Sequence, residues 1–169
     1  MPSRDEAAVD DAETVVAPGR EAMDATDDGD LSDMLSELRV LLPSAQLLSA
    51  FLITVPFNSG FAAIVQSEKK VFLATFILAI SSLVLLSAPA VQHRLVRPLA
   101  DRAHFKRLAT RQVLLGSVAL SLALVLATEL VLSEVFGHAV GLLAAAFVGA
   151  LILVLWWVLP KLWKARGHL

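Results

Sequence analysis

The sequence predicts an all-α, polytopic membrane protein: four transmembrane helices in a bundle, preceded by a disordered acidic tail and a short amphipathic juxtamembrane helix. Three observations carry that expectation. Four runs, at about 40–57, 71–91, 113–132 and 139–159, contain almost no charge. At roughly 1.5 Å per residue each covers about 27–32 Å, close to the ~30 Å hydrocarbon core of a bilayer. The chain is 57% hydrophobic, above the roughly 45–50% usual for soluble domains. Finally, the connection between the second and third runs gathers Arg94, Arg97, Arg102, Lys106, Arg107 and Arg111 against one acid, Asp101. Short loops rich in Lys and Arg stay in the cytoplasm, so this connection sets the orientation of the whole chain.

Charge divides the chain before any motif does. Of 16 Asp and Glu, 12 precede Arg39, so the net charge of −2 averages an acidic tail with a neutral-to-basic remainder. Residues 1–30 hold no run of large apolar side chains. Such a segment cannot bury enough surface to offset its ordering entropy, and it reads as a disordered cytoplasmic tail. It also lacks the basic start and apolar core of a secretory signal. Residues 31–169 form the membrane domain. No net basic surface points to nucleic acid. The chain has no cysteine, which removes disulfides and thiolate metal sites from consideration.

Leu31, Met34, Leu35 and Leu38 fall at i, i+3, i+4 and i+7, one face of a helix. Asp30 is placed to cap it and Asp33 to favour its first turn. Lying just ahead of a span, this amphipathic stretch is expected in the membrane interface. The first span is interrupted by Pro43, Gln46, Ser49, Thr54 and Pro56. Pro56 should end or kink it before the turn-like Asn58-Ser59-Gly60, and Gln46 is expected to hydrogen-bond to a neighbouring helix. In the second span Ala74, Ser81 and Ala88 recur every seven residues and predict a close-packing face. Ser117, Ser121 and Thr128 form a small polar stripe on the third. The fourth repeats small residues every fourth position, at Gly137, Gly141, Ala145 and Gly149, a pattern that lets helix backbones touch. Another helix of the same chain is the expected partner. Trp156, Trp157 and Trp163 then mark an interface, followed by Lys161, Lys164 and Arg166.

Counting Lys and Arg near the spans gives ten on the side of the termini and two, Lys69 and Lys70, on the other. The expected location is therefore the cytoplasmic (inner) membrane, multi-pass, with both termini cytoplasmic. The one ionisable residue within the spans is Glu129, the candidate proton or cation site. It lies past the middle of the third span, with Glu134 and His138 beyond it. No second buried acid completes a relay. Pro43 and Pro56 break the first span, with no counterpart in the third. His93, His104, His138 and His168 lack metal-ligand spacing, and no nucleophile motif or phosphate loop is present. No catalytic residue, metal or cofactor is expected.

Glu37-Leu38-Arg39-Val40, Gln46, Phe51-Leu52, Val55-Pro56-Phe57, Pro89 with His93-Arg94, and Trp157-Val158-Leu159-Pro160 together resemble a family of small bacterial four-helix membrane proteins catalogued as a domain of unknown function. The resemblance covers about Ser36 to Leu162. Some members carry an automatically assigned sodium:proton antiporter label. The resemblance places Glu37, Arg39, Gln46, His93 and Arg94 among the pattern residues. Glu37, Arg39, His93 and Arg94 make a candidate polar cluster at the inner interface, where a contact from Glu37 to Arg94 or His93 would tie the first two helices together. Two functions follow as expectations. One is a non-enzymatic protein acting by helix–helix association, as a homo-oligomer or with another membrane protein, through the glycine-rich fourth helix. The other is a small cation/proton transporter working as a homo-oligomer with Glu129 titrating.

Overall fold

The computed structural model describes the backbone of residues 18–95 and 102–166 and the side chains of 33, 34, 36–95 and 104–166. Every regular element among the described residues is helical. In chain order they are α1 (Pro18–Thr54), two short 3-10 turns (Val55–Phe57 and Ser59–Ala63), α2 (Gln66–Leu95), α3 (Arg102–Phe136), α4 (His138–Ile152), a π-helical segment (Leu153–Val158) and α5 (Leu159–Ala165). Four stretches are long and apolar enough to cross a membrane: Ser36–Phe57, Gln66–Leu95, His104–Phe136 and His138–Ala165. Each contains one of the four apolar runs read from the sequence.

The start of α1 departs from expectation. The helix begins at Pro18, so 18–30 is helical backbone, and the stretch at 31–38 continues into the first span. Asp30 therefore lies inside a helix and does not cap one. The local sequence explains this: Pro18 suits a first helical position, and Arg20, Glu21, Ala22 and Met23 are strong helix formers. Residues 1–17 of the tail, with Arg97, Asp101 and His168, lie outside the described residues. The other end of α1 behaves as Pro56 dictates. The α-helix stops at Thr54, a 3-10 turn carries the proline, and Asn58 is extended with φ −77° and ψ 136°.

The core forms where α1, α2 and α3 meet. One cluster joins Leu38 and Ala45 of α1 to Leu86 of α2 and Leu120 of α3. A second joins Leu52, Phe72, Ala79 and Ala123. On α2 the buried residues are Phe72, Thr75, Ala79, Ser82, Leu86 and Pro89. This seam, and not the Ala74/Ser81/Ala88 line, is the packing face. Ala74 is exposed, while Ser81 and Ala88 are only half-buried. Small residues recur on both lines, so their spacing alone does not choose between them. Phe72 and Leu86 choose, because they fill space beside Ala79 that the other line leaves empty. Hydroxyls on the seam are satisfied within their own helix: Thr75 donates to the Val71 carbonyl at 2.8 Å and Ser82 to that of Ala79 at 2.7 Å. Ser117, Ser121 and Thr128 of α3 likewise donate to carbonyls four residues back.

Among the described elements the backbone of α4 packs against α3, and α2 reaches it only through the side chain of Glu68. One residue, Gly137, joins α3 to α4. Its φ of +92° is a conformation that residues with a Cβ rarely adopt. Its amide donates to the Ser133 carbonyl at 2.9 Å, and its carbonyl accepts from Val140 and Gly141, both at 3.1 Å. Gly137 is thus the turn and not a rung of the packing face. At the far end of the span, the π-helical turn precedes Pro160. That ring lacks an amide proton and crowds the carbonyl four residues back, and a wider turn relieves both defects.

Candidate functional site

The polar residues that the sequence singles out fall at three levels of the bundle. At the end nearest the α2–α3 connection, Glu37 faces α3. With Asp33 and Met34 of α1 it lines a 390 Å³ cavity whose other wall holds Lys106, Thr110 and Val113. Among the described residues Glu37 makes no ion pair with Arg94 or His93. The contact expected from the sequence is not formed because this turn of α1 looks toward α3, away from the end of α2. Arg39 and Arg94 are exposed. His93 lies against the buried ring of Phe105, centroid to centroid 6.1 Å, and so links the end of α2 to the start of α3.

The small residues of α4 do meet a helix of the same chain. A Cβ built on Gly141 would lie 2.8 Å from the Ser133 amide nitrogen and 2.9 Å from the Glu129 carbonyl oxygen. Ala145 is 4% exposed, and a Cβ on Gly149 would sit 3.6 Å from Val125. The two helices therefore touch at Gly141 and diverge toward the π-helical end. There a 400 Å³ apolar cavity opens between Val118, Leu122 and Val125 on one side and Ile152 and Trp157 on the other. Glu129 takes part in the contact through its backbone, and its side chain is half-buried.

At the opposite end of the bundle lies a pairing that the sequence does not signal. The Glu68 side chain, 15% exposed, approaches His138 at 3.7 Å, linking the start of α2 to the start of α4. Seventy positions and two spans separate the partners, so no local spacing could reveal the pair. Glu68 and Glu134 also line a 210 Å³ cleft with Leu52, Val55 and Leu130. His138 is 75% exposed, and ion pairs of that kind contribute about 0–1 kcal/mol. A double-mutant cycle of Glu68→Gln and His138→Gln, read by thermal unfolding in detergent, should give a coupling below about 1 kcal/mol. A larger coupling would make this pair a principal clamp of the fold. Among the described residues no group of three or more His, Asp or Glu could hold a metal ion.

The third level is the middle of the first span. Ser49 is 3% exposed, and its hydroxyl oxygen has no hydrogen-bond partner. Gln46, three residues earlier, is exposed on the outside of the bundle. Its side chain makes no hydrogen bond among the described residues.

A family model described as a family of unknown function (DUF6328) matches residues 20–160. The chain belongs to this family. The matched region runs from the first turn of α1 to Pro160, just past the π-helical segment, and so takes in all four apolar helices of this chain. Neither a curated protein nor a solved structure matches the chain.

Proposed function

We propose that this protein is a non-enzymatic integral membrane component that acts by association within the bilayer, as a subunit or accessory protein. It sits in the cytoplasmic membrane with both termini on the cytoplasmic side. The observation that supports association is the open arrangement of the helices. Among the described residues the backbone of the fourth span packs only on α3, and α1 keeps one side clear of its neighbours. Both flanking helices thus offer long apolar faces to other transmembrane helices. The glycine face of α4 is already covered by α3, so association uses other surfaces. The orientation rests on the excess of Lys and Arg at the end of the bundle that carries the α2–α3 connection.

The test is to extract the full chain from its native membrane in mild detergent and measure its assembled mass. A defined oligomer or a stoichiometric membrane-protein partner is expected. The same preparation in tight liposomes, under imposed sodium, potassium and proton gradients, should show no flux. Equal leak for the parent and Glu129→Gln is the expected outcome. Ion flux in the parent that disappears in Glu129→Gln would replace this proposal with the transport reading.

A further inference from the structure

Gln46 is the tenth residue on from Ser36 and the eleventh before Phe57, so it lies at the middle of the first membrane-spanning stretch. Its primary amide carries two donor hydrogens and an acceptor oxygen. On the outside of the bundle, all of these groups face hydrocarbon. An amide without partners in an apolar medium costs several kcal/mol, and Gln46 lies six residues inside the uncharged run that begins at Val40. Among the described residues no group hydrogen-bonds to the Gln46 amide.

The register of α1 shows where a partner would lie. The helix carries two seams with alternating three- and four-residue spacing, one position apart. Leu38, Leu42, Ala45, Ser49 and Leu52 point inward, and all but the half-buried Leu42 are buried against α2 and α3. Pro43, Gln46, Ala50 and Ile53 follow the same spacing one residue on, and all four are exposed. This second line has the heptad geometry of a helix–helix seam, with a small residue one turn after the amide to allow close approach. Of the other outward residues, Val40, Leu47 and Phe51 are apolar and need only lipid, while Ser44 and Thr54 carry short hydroxyls that can return to their own helix, as Thr54 does to the Phe51 carbonyl at 2.7 Å. Gln46 is what separates the seam from the rest of that surface.

We infer that a second copy of this chain packs along the Pro43–Gln46–Ala50–Ile53 seam of α1, with the two Gln46 amides hydrogen-bonded to each other at the midplane. A second copy is favoured over a different protein because a primary amide is complementary to itself. Across a two-fold axis each carboxamide donates to the other's oxygen, and no further polar group is required. A single polar residue in an otherwise apolar seam also fixes register. The inference rests on the association reading above and gives it a partner and a surface.

The native absence of cysteine makes the test direct. Ala50→Cys is introduced into the full chain, oxidised in native membranes and compared with Val84→Cys, which lies on an exposed face of α2. Ala50→Cys should form a disulfide-linked dimer of two identical chains, and Val84→Cys should not. Adding Gln46→Leu to Ala50→Cys should lower dimer yield about tenfold, in line with the energy of interhelical hydrogen bonds in membranes. Gln46→Asn should retain much of the yield, and neither change should alter the monomer's thermal unfolding. Equal yields at Ala50 and Val84, or no effect of Gln46→Leu, overturns the inference. So does a crosslink to a chain of different mass. If the inference fails while the parent still runs as an oligomer, association stands on another surface. A parent that runs as a monomer without partners removes both.

Discussion

Gly141→Leu is expected to lever α4 away from α3 and to be among the most damaging single substitutions in the protein. The reason lies in what a side chain would meet. The nearest atoms to a new Cβ are the Ser133 amide nitrogen at 2.8 Å and the Glu129 carbonyl oxygen at 2.9 Å. Both belong to a helix backbone and cannot rotate aside. Gly116 is crowded by side chains instead: a Cβ there meets Leu86 Cγ at 2.9 Å, Leu86 Cδ2 at 3.0 Å and Leu85 Cβ at 3.2 Å. Forcing extra carbons into packed sites costs about 1–3 kcal/mol and sometimes more, and Gly141 should fall at or beyond the top of that range. The measurement is a disulfide between Val125→Cys and Gly149→Cys, formed in the otherwise parental chain and lost when Gly141→Leu is added. A disulfide that forms equally well in both backgrounds would mean that α4 does not depend on backbone contact at Gly141.

Ala123→Leu is expected to produce a comparable loss through the other junction of the bundle. Ala123 is 0% exposed and shares a cluster with Leu52 of α1 and with Phe72 and Ala79 of α2. Three extra carbons there press on three helices at once. Within a bilayer lipid tails are as apolar as leucine, so close packing, and not removal from water, is what the substitution spoils. A drop of about 1–3 kcal/mol is expected in detergent unfolding. Val84→Ala, on a side chain 60% exposed, should change stability by less than about 0.5 kcal/mol. If the two variants melt alike, the centre of the bundle is looser than its burial implies.

Much of this architecture is legible in the sequence, because the properties that make a spanning helix are local. Four apolar runs, the break at Pro56 and the small residues at Gly141, Ala145 and Gly149 each appear in their own stretch of chain. The helical start at Pro18 escapes the same reading, since acidity argues for disorder while the residues from Arg20 to Met23 favour a helix. Registers are harder still. Ala74, Ser81 and Ala88 present a plausible face until Phe72 and Leu86 are seen filling the adjacent one. Polar contacts between distant spans are the least legible. Glu37 turns toward Lys106 and Thr110 and not toward Arg94, and Glu68 finds His138, because helix rotation in the assembled bundle decides both. For Gln46 the sequence gives the residue and its depth, and only the fold gives its outward direction.

The one-residue turn at Gly137 has a consequence for how copies of this protein can exchange parts. Two antiparallel helices joined by a single residue cannot separate at their linked ends. Each is therefore presented to the other at a very high local concentration. Shortness alone does not prevent exchange, because short hinges under strain are the ones that open in domain swapping. What keeps this hairpin closed is that Gly137 adopts its φ of +92° without a Cβ and that α4 meets the α3 backbone at Gly141. A side chain at position 137 would strain the turn and so favour exchange of the fourth span between copies.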